Sequence, residues 1–176
     1  YHFDLDFSPN PGSESKIFQT QESRGQEFRF SSIEGGAWDW AAGAAYGDSE
    51  VEGNTTRSFF IPLPPEFGGG FAPVTTTTDY SLNEESYSLF GQLTYNGIDS
   101  IGIHFGLRGD QYDKSLIRSA FGLSGPVPNI NESSDYSFIS PRAGIDFELS
   151  DSSLVYVNSG IAYKPGGYSA FIDNPQ

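Results

Sequence analysis

The stretch Trp38-Asp39-Trp40-Ala41-Ala42-Gly43-Ala44-Ala45-Tyr46 alternates strictly, with Trp38, Trp40, Ala42, Ala44 and Tyr46 on one face and Asp39, Ala41, Gly43 and Ala45 on the other. Successive side chains of a strand point to opposite faces, so this is extended chain with one apolar face and one small or polar face. The pattern returns at Tyr87, Leu89, Gly91, Leu93 and Tyr95, set against Ser88, Phe90, Gln92 and Thr94. It returns again at Ile101, Ile103, Phe105 and Leu107, set against Gly102, His104, Gly106 and Arg108, and over Ala143–Leu149. Weaker alternation covers Tyr1–Phe7, Gln26–Ile33 and Leu154–Tyr163. These segments predict about seven strands and no helix.

Composition agrees. Among 176 residues there are 21 glycines and 15% aromatics, with no Cys and no Met, a balance that suits strands and turns. Without cysteine there is no disulfide framework, thiol chemistry or Cys-based zinc site. A net charge of −14 with only nine basic residues excludes nucleic acid as a partner. No run approaches the roughly 18 apolar residues of a membrane helix, so any membrane role must come from a closed barrel of strands.

The connections choose between a soluble sandwich and such a barrel. Glu34-Gly35-Gly36, Asn96-Gly97-Ile98-Asp99 and Ser150-Asp151-Ser152 read as tight turns. Between them lie long polar connections over Pro9–Ser23, Gly47–Glu85 and Asp110–Ser134, with another opening at Lys164. Short and long connections therefore alternate, which puts all short turns at one end of the sheet. Membrane barrels sort their connections this way, with short periplasmic turns and long outside loops. Trp38 and Tyr46, and likewise Tyr87 and Tyr95, stand eight residues apart on one face. Eight tilted residues span on the order of 20 Å, close to the apolar band whose edges carry aromatic girdles. These four are the expected membrane-interface aromatics.

Several motifs, in order, resemble TonB-dependent outer-membrane receptors of the siderophore-receptor type. They are Gln26-Glu27-Phe28-Arg29-Phe30 followed by Gly35-Gly36-Ala37-Trp38-Asp39-Trp40-Ala41-Ala42-Gly43, then Ser86–Tyr95 followed by Gly106-Leu107-Arg108. Next come Ser140-Pro141-Arg142-Ala143-Gly144-Ile145-Asp146 and finally Tyr156 leading to Ala162-Tyr163-Lys164-Pro165-Gly166-Gly167-Tyr168. The resemblance implies a mid-barrel segment of a 22-stranded type of barrel in the bacterial cell outer membrane, enclosing a plug and powered through a TonB box. Residues 1–176 would then be a partial barrel domain that contains neither plug nor TonB box, so TonB engages only through parts outside this chain. The implied activity is capture and import of a scarce ligand, by default a ferric siderophore, with outer-membrane lipid as the other partner. One departure is Ser159-Gly160-Ile161-Ala162-Tyr163, where the family often carries an Arg. Both ends read as cuts, and seven strands leave two edges unpaired, so a curved open sheet is expected.

No catalytic residue, metal ligand or cofactor site is expected. His2 and His104 lie on different strands without ligand spacing, and Asp146 and Glu148 read as a solvated lumen wall. The candidate ligand contacts are Phe59, Phe60, Phe67 and Phe71, in a proline-stiffened stretch of the longest connection, with lumen-facing Arg108 and Arg142. Two alternatives stay open: a soluble or surface β-sandwich acting as a binding module, and a plugless porin-type barrel.

Overall fold

Alternation along the chain becomes a single antiparallel meander. The computed structural model describes residues 13–33, 35–122 and 124–169, and the backbone of residues 2–4. Its strands are β1 (His2–Asp4), β2 (Ser13–Ser31), β3 (Trp38–Pro62), β4 (Phe71–Ile98), β5 (Ile101–Gly122), β6 (Gly125–Ser150) and β7 (Ser153–Gly160). They form one seven-stranded sheet in sequence order, with each strand hydrogen-bonded to the next. The sheet is open, with β1 and β7 at its edges. Of the expected Tyr1–Phe7 strand, only His2–Asp4 falls within the described residues. Residues 9–12 of the first connection, Glu34 and residues 170–176 lie outside them.

The register sets the two faces. Trp40 pairs with Leu93, Leu93 with Phe105 and Phe105 with Ala143. Paired residues share a face, so Phe28, Phe30, Trp38, Leu89, Leu107 and Ile139 join one continuous apolar surface. That surface is bare: Trp38 is 53% exposed, Leu89 70% and Ile139 65%. A sandwich would cover these side chains with a second sheet, and the described residues form only one. A barrel turns the same face to lipid.

The long connections lie where expected, but their backbone is mostly paired strand. Gly47–Pro62 and Phe71–Ser86 continue the β3–β4 ladder without a break, and only residues 63–70 leave it. Asp110–Gly122 and Gly125–Ser134 likewise extend β5 and β6. Apolar alternation stops there because the two faces no longer differ, both carrying mostly polar side chains. Thr55, Thr56 and Thr75–Thr78 nevertheless keep strand-forming side chains on the backbone. Tight turns shift too. Asn96 and Gly97 belong to β4 beside an irregular register between Tyr95 and Ile98, and the tip is Asp99-Ser100, with Ser100 at φ 59°. Asn96 is drawn into the strand by bonds to the Ala37 carbonyl (2.9 Å) and to Asp39 (2.7 Å).

Buried apolar side chains are scarce, as befits one layer. Among the described residues only Tyr80 and Leu116 form a buried core cluster, with Val51, Leu82, Ile130 and Tyr168 packed around it. It lies on the polar-side face of the hairpin extensions. The Tyr80 hydroxyl reaches Gln19 (3.3 Å), and burial pushes that phenol above its ordinary range. Tyr168 is pinned by its hydroxyl to Ser134 (2.7 Å), which ties the segment after β7 to the same cluster.

On the apolar side, the row Gln26–Tyr46–Tyr87–Gln111 marks where side chains turn polar. In the next row outward, Arg24 pairs with Asp48, Asp48 with Glu85, Glu85 with Asp113 and Asp113 with Asp135. Four carboxylates thus stand side by side on adjacent strands, an arrangement that costs a few tenths of a kcal/mol or more per facing pair.

Candidate functional site

The face opposite the apolar surface carries the polar chemistry. On it Arg29 pairs with Gly43, Gly43 with Phe90, and Phe90 with Arg108. One row nearer the turns, Ala41 pairs with Gln92, Gln92 with Gly106 and Gly106 with Arg142. Glycines at the centre of both rows leave room for long neighbours to lie across the sheet. A Cβ on Gly43 would stand 2.5 Å from the Phe90 ring, and one on Gly106 would run into the Arg142 side chain. The result is a basin of about 640 Å³ whose wall includes Arg29, Phe90, Gln92, Arg108 and Arg142.

Three guanidinium groups meet here in a strongly acidic chain, and their surroundings differ. Arg108 donates from Nε to both oxygens of Asp110 (2.8 and 3.0 Å) and from its terminal nitrogen to Ser88 (2.8 Å). Ser88 in turn donates its hydroxyl hydrogen bond to Asp110 (2.6 Å), which closes the triangle. Arg29 pairs with Glu27 (2.9 Å). The Arg29 and Arg108 cations sit 5.4 and 5.9 Å from the centre of the Phe90 ring, within cation–π range. Arg142 touches the neutral amide oxygen of Gln92, and no ion pair to it appears among the described residues. It is the guanidinium with bidentate capacity left for an incoming anion.

Toward the turns, His104 contacts Asp146 through Nε2 and Thr94 through Nδ1 (3.2 Å). Among the described residues no three His, Asp or Glu side chains gather as a metal set. Asp146 is engaged by His104.

The structure divides the expected ligand contacts into two groups. Arg108 and Arg142 both line the basin. Phe59, Phe60, Phe67 and Phe71 gather at the far end of the β3–β4 hairpin, about 16 residues beyond Gly43, on the order of 50 Å away. The four aromatics expected at the membrane interface form two cross-strand pairs: Trp38 on Tyr95 (ring centroids 4.5 Å apart) and Tyr46 on Tyr87 (5.2 Å). Strand-by-strand alternation missed Arg29, Phe90 and Gln92 as parts of the basin and Asp110 as the partner of Arg108. Their parity was legible, but their neighbours depend on register.

Gly106→Val tests how the basin is built. The added methyl groups drive Arg142 away from Gln92, so a double-mutant cycle between those two residues loses its coupling. In the native background that coupling is about 0.5–3 kcal/mol. Undiminished coupling in the valine variant would show that the glycine is not what seats the arginine.

Comparison with known proteins follows from this geometry. The family model described as TonB dependent receptor-like, beta-barrel matches residues 1–176. No curated protein sequence matches the chain. Among solved structures, the ferric yersiniabactin uptake receptor FyuA from Yersinia pestis superposes with a TM-score of 0.73 at 16% identity, covering 85% of this chain. The chain spans 22% of that receptor's length. The open form of the ferric-catecholate import receptor Fiu from E. coli K12 gives a TM-score of 0.46 at 13% identity, covering 93% of this chain and 34% of its own.

Proposed function

The chain belongs to the TonB-dependent receptor-like β-barrel family, and from that premise we propose that residues 1–176 are part of the wall of a bacterial outer-membrane receptor that imports a ferric siderophore. In this reading the bare apolar face meets lipid, and Trp38, Tyr46, Tyr87 and Tyr95 sit at its interfaces. The segment is a partial barrel domain, and TonB supplies energy through parts of the receptor outside it. One observation carries the reading: a single sheet with a continuous apolar face on one side and a polar, arginine-bearing basin on the other. That two-sidedness suits a wall between hydrocarbon and a wet lumen. Arg142, with Arg108 behind it, contacts the anionic groups of the chelate.

The test is uptake of radiolabelled ferric siderophores by iron-starved cells that carry the whole receptor as their sole importer. At least one chelate enters in a TonB-dependent manner, and Arg142→Glu lowers its uptake at least tenfold, since a repulsive carboxylate replaces the cation. Permeation that persists without TonB would establish a porin-type barrel instead. Uptake indifferent to the charge at position 142 would remove the basin from the reading.

A further inference from the structure

Outward from the basin, the same face of the β3–β4 hairpin holds two buried polar atoms without a partner. Thr55 is only 4% exposed, and its Oγ1 accepts and donates no hydrogen bond. Two residues further along β3, the Nε of half-buried Arg57 is likewise buried and unpaired. Among the described residues no ion pair reaches the Arg57 side chain. Folded proteins pair nearly all their buried polar atoms, so each such atom calls for a partner. We propose that Arg57 and Thr55 form a binding site for a small oxyanion of the phosphate or sulfate class, separate from the arginine basin.

Register builds the site. Thr55 pairs with Ile17 on β2 and with Thr78 on β4, and Arg57 pairs with Ser15 and Thr76. Neither ladder slips along this stretch, so these side chains share the face of Gly43 and Phe90. Ser15 is 3% exposed, which extends the buried hydroxyls onto the neighbouring strand. On the inner side the Tyr80 ring lies across Gly53, where an added Cβ would strike it, and its hydroxyl reaches Gln19 (3.3 Å). Three strands thus surround Arg57 with hydroxyls, groups that donate to an anion and bring no charge of their own.

Charge selects the occupant. A water molecule would satisfy the Thr55 hydroxyl but leave a partly desolvated guanidinium without a counter-charge. The hairpin supplies no carboxylate for it. Across residues 53–62 and 71–80 the one acid is Asp79, which lies on the opposite face and accepts from Asn54 (2.7 Å). Arg118, 2% exposed, pairs with Tyr80 on the basin-side face and adds to the positive field. An oxyanion accepts from guanidinium and hydroxyls together. Two other sources of anionic groups are out of reach. Arg57 lies about 14 residues beyond Gly43, on the order of 45 Å, so a chelate seated in the basin does not touch it. With the wall in the membrane as proposed, lipid meets the opposite face. Thr55 also stands about nine residues past Tyr46, on the order of 30 Å, whereas the headgroup layer adds only about 5–8 Å per side.

The test is equilibrium dialysis of the whole receptor, in detergent micelles and chloride buffer of fixed ionic strength, against radiolabelled inorganic phosphate and, separately, radiolabelled sulfate. The native receptor should bind at least one of them saturably, near one equivalent. Arg57→Gln should weaken that binding about tenfold or more, since the charge-assisted bonds go with the guanidinium. Thr55→Val keeps the volume, removes the hydroxyl and should weaken it about threefold or more, whereas Thr55→Ser should stay within about twofold of native. Unchanged circular-dichroism melts verify the folds, and the two Thr55 variants decide the matter if Arg57→Gln does not fold. Arg142→Gln should leave the dialysis unchanged, because that guanidinium belongs to the basin. Three results would each overturn the proposal: no saturable binding, as when another part of the receptor gives Arg57 a carboxylate; equal binding by native receptor, Arg57→Gln and Thr55→Val; or binding lost with Arg142→Gln, which would put the anion in the basin. None of these outcomes depends on which chelate the basin takes.

Discussion

Leu107→Arg destabilises the sheet in a bilayer by about 2–4 kcal/mol, the range for a cationic side chain on the lipid face of a barrel near the midplane. The position is chosen by register. Leu107 pairs with Gly91 and Gly91 with Ala42, the row midway between the Trp38–Tyr95 and Tyr46–Tyr87 aromatic pairs. Leu107 is 57% exposed, so no protein group stands ready to accept the guanidinium. The control is Ala41→Lys, one residue from that row on the opposite face, where it borders the basin. It faces water in a barrel and should cost under about 1 kcal/mol, as surface substitutions usually do. Denaturant titration of the whole receptor refolded into vesicles reads both. Equal costs at the two positions would mean that the assignment of faces to lipid and lumen is wrong.

Arg108→Leu ranks second, at about 1–3 kcal/mol, because the penalty comes from what it strands. The Asp110 side chain is only 10% exposed and accepts from both Arg108 and Ser88. Without the guanidinium, that carboxylate keeps its desolvation and loses its counter-ion. Arg108→Leu with Asp110→Leu should recover much of the loss, since a pair removed together leaves nothing unsatisfied. An exposed ion pair would behave otherwise, with both single changes near neutral. Two near-neutral single variants would therefore show that the triangle of Arg108, Asp110 and Ser88 is solvated in the intact receptor.

What the sequence disclosed and what it hid divide along one physical line. Inside the apolar band the environment differs between the faces, so Trp38–Tyr46, Tyr87–Tyr95, Ile101–Leu107 and Ala143–Leu149 announced themselves as strands by alternation. Beyond Tyr46 and Tyr87 neither face meets hydrocarbon, and Gly47–Pro62 and Phe71–Ser86 read as loops although they are paired throughout. Strand-forming residues such as Thr75–Thr78 were the remaining signal, and it is weak. The basin shows the same limit. Arg108 and Arg142 were assigned to the correct face by parity, yet the ring of Phe90 between Arg29 and Arg108 appears only once the register is fixed. Register in turn hangs on turns such as Asp99-Ser100, where the Asn-Gly pair pointed to the wrong tip.

The file of carboxylates formed by Asp48, Glu85, Asp113 and Asp135 has a consequence for how deep the wall sits. If the wall sits in the outer membrane as proposed, sinking the sheet by two residues would move it on the order of 5 Å and bring four acids on neighbouring strands together down to the level of Tyr46 and Tyr87, at the edge of the hydrocarbon. Each would resist with the solvation penalty of a buried charge. Rising by the same amount would lift Tyr46 and Tyr87 out of the interface and bring Phe28 and Leu89 up to it. The row thus works as a waterline: it makes vertical position a property of four strands at once, with little room for the barrel to bob.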